Sequence, residues 1–332
     1  MSGGAESKNE INVDDMTTDR PKKKQHFVAQ LYLRRWHDDR KRVATWVDDK
    51  IAPRRTEDVG HARYFYEVFG INESECELLL QGLKRVKTPD VDIRFRSIIK
   101  NCREIGVSEE SGINAADSAI EVYKKNVIED YYGITEDIVA EAYQKAVDGN
   151  FRDFSHVDYQ NLLRFATYQL GRTPKAREKI RLAVEPKLTL RGIRFDRWYT
   201  LSMLMTAEEL FLALIEQLYK FAFIENKTSQ PFITSDNPVF NLKGVEDPAP
   251  ELFWPLTPFL AVLISRATTS KIQANAIRQD WLKKRTLSSY YLSLSEEHSL
   301  PEIHRLNKLS WDNKHRFAFA LREQDLLAFC SG

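Results

Sequence analysis

Cysteine is scarce. Three residues, Cys76, Cys102 and Cys330, occur in a chain of 332. An odd count with no Cys-x-x-Cys pair gives neither a disulfide framework nor a zinc knuckle. It fits a reducing compartment, so the expected location is cytoplasmic. Long apolar runs are missing as well: no stretch reaches the ~18 consecutive apolar residues of a membrane span, so no membrane is expected as partner. The most apolar segment, 199–224, is interrupted by Glu208, Glu209, Glu216, Gln217 and Lys220 and reads as an amphipathic core helix. The first twenty residues lack an apolar core, so no signal peptide is expected. Ser2 stands where myristoylation needs glycine. An excess of one charge is also missing. Forty-nine Lys and Arg against 48 Asp and Glu leave a net charge of +1, which gives no global pull toward nucleic acid. The phosphate-binding glycine loops, the Gly-x-Ser-x-Gly elbow and the His-Glu-x-x-His zinc motif do not occur.

What is present describes a globular protein: 42% hydrophobic and 29% charged residues over a length that suits one large domain or two smaller ones. Residues 1–22 are polar and aperiodic and are expected to be a disordered tail, followed by a single domain over 23–330. Residues 42–48 alternate as a strand, with Asp48-Asp49 as its turn, and 64–68 read as another short strand. Helices are expected from Ser74 with Glu77 as a capping box, from Pro89, from Thr135 to Gly149, from Ser155 with Asp158, from Thr173-Pro174 to about Thr189, and over 201–219. Residues 220–225 and 231–234 read as a hairpin. Further strands are expected at 253–256, 261–265 and 316–321, and a helix at 299–312. The reading is an α+β fold, predominantly helical, with a small antiparallel sheet drawn from both ends of the chain.

The run Gln25-His26-Phe27-Val28-Ala29-Gln30-Leu31-Tyr32-Leu33-Arg34 resembles the opening of domain-of-unknown-function family 4238. Three further blocks agree and come in the family's order: QLGRTPKAR at 169–177, FITSDNPV at 232–239 and WPLTPFLAVLIS at 254–265. The likeness covers about residues 24–325. Ala29 stands where the family usually has proline. The resemblance implies a shared fold and no particular reaction.

Asp236 and Asn237 are the first candidates for chemistry. They close a strand, and Pro238 biases Asn237 toward extended backbone. An aspartate there could bind a metal, act as a base or orient a histidine. Ser, Asp, Asn and Pro are also turn formers, and the Asp could simply cap backbone amides. His26, pinned beside an apolar run, is the second candidate, as acid, base or metal ligand. The alternative is a histidine satisfied by a backbone carbonyl. Arg172, between two helices, could grip a phosphate or carboxylate, or bridge helix-end carbonyls. Gln169 could share its surface, and Gln30 and Glu77 are weaker additions. His37, His61, His156, His298, His304 and His315 show no ligand spacing.

Three readings follow. The first is a hydrolase or phosphodiesterase-type enzyme in which His26, Asp236 and Asn237 are catalytic and Arg172, Gln30 and Gln169 bind substrate, with a divalent metal left open. The second is a non-catalytic binding or sensing module for an anionic ligand or nucleic acid, using Arg172 and the basic stretch 20–55, which holds twelve Lys and Arg against four Asp and Glu. The third is a structural polar network of His26, Arg172 and Asp236.

Overall fold

Reciprocal caps and helix-opening prolines set where four of the described helices begin. The computed structural model describes residues 20–112, 118–150, 153–217, 219–244, 249–266, 290–294 and 296–330. Helix α5 (His156–Gly171) starts as the sequence predicts: Ser155 Oγ accepts the Asp158 amide, and Asp158 returns the bond to the Ser155 amide. Helix α6 (Pro174–Thr189) has Thr173 as cap and Pro174 at its first position, and α3 (Pro89–Glu110) opens on Pro89. Helix α2 (Glu73–Leu83) begins earlier than expected. Its capping box is Asn72 with Glu75, since those are the residues whose side chains reach each other's amides, at 2.9 Å both ways. Helix α4 (Ser118–Val147) runs straight through Thr135, whose hydroxyl turns back onto the Tyr131 carbonyl instead of capping a new start. Gly149, at φ 72°, follows its end as anticipated.

Helix α7 (Phe195–Glu216) is long and apolar enough to cross a membrane by length and composition, but 61% of its apolar window is buried inside the fold, against α5 and α2. Its Glu208 is fully buried and accepts from Arg164, Thr88 and Tyr168. Phe211 and Leu214 on the same helix are each 2% exposed. Burial of such side chains stabilises by ~1.5–3 kcal/mol apiece.

The strands form three small sheets. Strands β1 (Lys24–His26) and β4 (His61–Arg63) pair antiparallel. The expected strand at 64–68 is a turn instead: Tyr64 sits at φ 50°, which ends the pairing, and the Gln25 side chain takes the Tyr66 amide at 2.6 Å in place of a neighbouring strand. A four-stranded sheet has the order β3 (Lys50–Arg55), β2 (Arg42–Val47), β11 (Ala318–Ala320), β6 (Thr234–Ser235). Asp48 and Asp49 make its two-residue turn at φ 51° and 59°, the geometry that matches strand twist. A five-stranded sheet has the order β10 (Tyr290–Leu294), β5 (Lys220–Asn226), β9 (Leu260–Ser265), β8 (Leu252–Thr257), β7 (Phe240–Asn241); β10 runs parallel to β5 and the other pairings are antiparallel. The hairpin expected at 220–234 does not form. Asn226 folds its side chain onto the Thr228 amide and the Gln230 carbonyl, Pro231 has no amide to donate, and the chain crosses from one sheet to another. Helix α1 (Gln30–Leu33) follows β1; α8 (Glu296–Asp312) and α9 (Gln324–Cys330) flank β11.

Of the described residues, 54% are helical and 17% are in strands, so the fold is α+β and predominantly helical. One continuous apolar core reaches from Phe27 to Phe319. Of the expected tail, residues 1–19 lie outside the described residues. Residues 20–22 are already tied to α4: the Arg20 carbonyl accepts from Asn126, and Lys22 bonds Asn126 and Asp130.

Candidate functional site

Pairing of β1 with β4 sets His26 opposite His61, with their rings edge-on at 5.3 Å. Helix α4 lies behind them. Its Asn126 lies three and four residues before Glu129 and Asp130, and Glu136 lies two turns beyond Glu129, so they share a face. Glu129 Oε1 accepts the His26 amide at 3.4 Å. Arg172, at the C-terminus of α5, is 3% exposed. Its Nη2 donates to the His26 carbonyl at 2.6 Å and to Glu136 Oε1 at 2.9 Å, and its guanidinium lies 4.4 Å from the Tyr132 ring centre. The Tyr66 hydroxyl is shared between the His26 and Arg172 carbonyls, 3.2 Å from each.

The four sequence blocks are bonded to one another in the core. Gln169 donates to the Phe27 carbonyl at 2.7 Å, the Thr173 hydroxyl to Asn237 Oδ1 at 3.1 Å, and the Tyr32 hydroxyl lies 2.8 Å from the Pro255 carbonyl and 2.5 Å from Thr234 Oγ1. His26, Arg172 and Gln169 thus belong to one network, and Asn237 joins it through Thr173. Gln30 holds the Thr56 carbonyl at 2.8 Å, and Glu77 is exposed on α2.

Asp236 is placed differently from the catalytic role expected of it. It is fully buried, and its oxygens accept three successive amides, from His315 at 2.8 Å, Arg316 at 2.8 Å and Phe317 at 3.0 Å. Burial pushes its carboxyl above the ordinary range, against those amides. With both oxygens committed to backbone, Asp236 is a clamp that fixes the segment entering β11. The alternative in which the Asp caps backbone amides accounts for it.

A second carboxylate, Glu129, is left with one buried oxygen unpartnered among the described residues. Burial lifts it to about 7, with Arg172 pulling the other way. Burial, with the fields of His61 and Arg172, lowers the His26 imidazole to about 4. Burial also works against the charge on Arg172, but Tyr66, Glu136, Tyr132 and Glu129 outweigh it and the guanidinium stays charged. Near neutral pH the cluster therefore holds a neutral imidazole, a fixed cation and a carboxyl able to take or give a proton. Five of its buried polar atoms meet no hydrogen-bond partner among the described residues: His26 Nε2, His61 Nδ1, Glu129 Oε2, Arg172 Nε and Gln169 Oε1.

Sequence reading missed Glu129, Glu136 and His61. The carboxylates were readable only as one stripe of a helix that the sequence seemed to break at Thr135. His61 reaches the site through strand pairing, which spacing along the chain does not reveal.

A cleft open to solvent on one side adjoins Arg172. It is lined by Phe65, Tyr66, Tyr132, Tyr199 and Met203 and has room for about one water molecule. Among the described residues no three His, Cys, Asp or Glu side chains gather as metal ligands do, so a divalent metal would find no ready ligand set there.

Neither a curated protein nor a solved structure matches the chain. One family profile, described as "Protein of unknown function (DUF4238)", matches residues 24–324, which takes in all four blocks. The chain belongs to that family.

Proposed function

We propose that the chain is a hydrolase-type enzyme working by general acid–base chemistry, with Glu129 as the proton-transferring group. One observation carries this. Glu129 has one oxygen on the His26 amide and its other oxygen buried without a partner, beside Arg172, in surroundings that hold the carboxyl near 7. A proton-transfer group works best when its pKa lies near the operating pH. As a carboxylate, Glu129 would take the proton of an attacking water and return it to the leaving group. Arg172 would hold negative charge that grows on the substrate. Neutral His26 would offer Nε2 as a hydrogen-bond acceptor. Gln169, Asn237 and Asp236 would position this set through the backbone.

A panel of chromogenic phosphodiesters and carboxylic esters, assayed from pH 5 to 9, tests the reading. The expected rate is governed by one group near pH 7, and Glu129→Gln lowers kcat/KM by ~10²–10⁴ with the fold intact by circular dichroism. Turnover that Glu129→Gln leaves unchanged would sink it, as would no turnover of any ester.

A binding role for an anionic ligand or nucleic acid has its own support. Arg40 and Lys41 are exposed at the open end of the β2–β3 hairpin, and neither makes an ion pair with an acidic side chain among the described residues. Binding of that kind would weaken steeply with added salt. The free thiols of Cys76, Cys102 and Cys330 suit either role in the cytoplasm.

A further inference from the structure

Helix α6 has two apolar faces, and the fold uses one of them. Ile180, Val184 and Leu188, spaced four apart, pack inward with Phe195, Tyr199 and Met203. On the opposite side Leu182, Pro186 and Leu190 repeat that spacing and, with Ala183, face solvent. Leu182 is 75% exposed and Leu190 88%, more than any other large apolar side chain among the described residues. One exposed leucine is ordinary, but a stripe about 12 Å long at the helical repeat is a face. Its surroundings are basic. Residues 174–197 hold eight Lys and Arg against three Asp and Glu, in a sequence that is otherwise balanced. The three acids are engaged: Glu178 lies 3.4 Å from His315, Glu185 pairs with Arg181, and Asp196 pairs with Arg177 and Arg181. Lys179, Lys187, Arg191 and Arg194 are exposed and make no ion pair with an acidic side chain among the described residues.

Charge and shape together select what covers the stripe. Four unpaired cations call for an anionic partner. A second copy joined stripe to stripe would set like charges against each other. Nucleic acid would take the cations and leave the leucines wet. Helix α6 is exposed along one whole side, a ridge and not a groove that could receive a partner's helix. A flat surface with negative headgroups above apolar chains satisfies both the cations and the leucines. We propose that α6 docks on an anionic lipid bilayer, with Leu182, Pro186 and Leu190 entering one leaflet and Lys179, Lys187, Arg191 and Arg194 at the headgroups. Such a contact needs no spanning segment, so the absence of long apolar runs does not bear on it. The inward face already holds α6 in place, so docking has little chain to order. The proposal is independent of the acid–base reading.

Flotation of the full chain with vesicles of phosphatidylcholine, alone or mixed with phosphatidylserine, tests the proposal. Binding is expected to the mixed vesicles and not to phosphatidylcholine alone, and to weaken with added salt. Leu182→Ser combined with Leu190→Ser is expected to lower the partition coefficient by ~10-fold or more. Lys187→Glu combined with Arg191→Glu is expected to lower it by ~25-fold or more, about fivefold for each cation. Both pairs change exposed side chains, so circular dichroism and Tm are expected to match the parent's. Should either pair fail to fold, hydrogen exchange in the unaltered chain still decides. Vesicles are expected to add protection over residues 187–192 and none in the β2–β3 hairpin, the other basic surface. No binding to the mixed vesicles, equal binding to phosphatidylcholine alone, a leucine variant that binds as the parent does, or protection confined to the hairpin would overturn the proposal. So would an oligonucleotide or poly-glutamate that binds this face, through the cations alone, when vesicles do not.

Discussion

Burial holds the Glu129 carboxyl up at about 7 and the His26 imidazole down at about 4, so the two residues act on stability in opposite directions. Glu129 has a higher value in the folded chain than the ordinary 4.5. Its contribution is complete below that pH and is lost as pH rises through about 7. His26 lies below its ordinary 6.5. Its contribution is complete above 6.5 and is lost as pH falls toward about 4. Glu129→Gln is therefore expected to exceed the parent at pH 8 by ~2–3 kcal/mol and to lose that advantage at pH 4.5. His26→Gln is expected to lessen the acid-side loss between pH 6.5 and 4. Urea unfolding at pH 4.5, 6 and 8 measures both; a Glu129→Gln curve parallel to the parent's across that range would show that the carboxyl is not held as described.

At the level of elements, the legible features were those whose signal is local. Ser155-Asp158 and Thr173-Pro174 satisfy their own helix ends, so α5 and α6 were placed by the sequence to the residue. Where two local solutions compete, tertiary contact decides. Ser74-Glu77 and Asn72-Glu75 both spell a cap, but Glu75 also accepts the Arg194 amide at 3.0 Å and faces Arg197, and those contacts select the earlier start. Asn72→Ala is accordingly expected to cost ~1 kcal/mol, while Ser74→Ala stays within about 0.5 kcal/mol. Equal effects in thermal melts would restore the later boundary. Long-range pairings were not legible. Strand β3 carries Pro53 and reads poorly as a strand, yet an edge tolerates proline. The candidate site shows the same division. Arg172, His26 and Gln169 were visible because their blocks are distinctive, whereas their dependence on Glu129 arises only when β1 lies on α4.

Across the whole molecule, the four-stranded sheet joins segments from three distant parts of the chain. Strand β11 lies between β2 and β6, with Phe319 opposite Thr45 on one side and Thr234 on the other. Asp236 holds the approach to that insertion through its three amides, so its loss should be felt globally. Asp236→Ala is expected to lower stability by ~2–4 kcal/mol, since it orphans amides that were bonded to a carboxylate. Hydrogen exchange should then show protection falling in β2 and β11 together. Loss confined to residues 315–317 would mean that the clamp serves only its own turn.

The central place of β11 bears on how the protein is made. Asp48 beside β2 and Arg316 beside β11 are ion-paired across a separation of 268 residues. At ~5–20 residues per second, a ribosome needs roughly 15–50 s to deliver the second after the first. During that interval the β2–β3 hairpin exposes one unsatisfied edge. Lys50, Pro53, Arg54 and Arg55 guard the outer edge on β3, but the inner edge on β2 waits bare for its neighbour. A bare edge of this kind is a template for wrong pairing, so slower elongation is expected to lengthen the chain's exposure to misassembly.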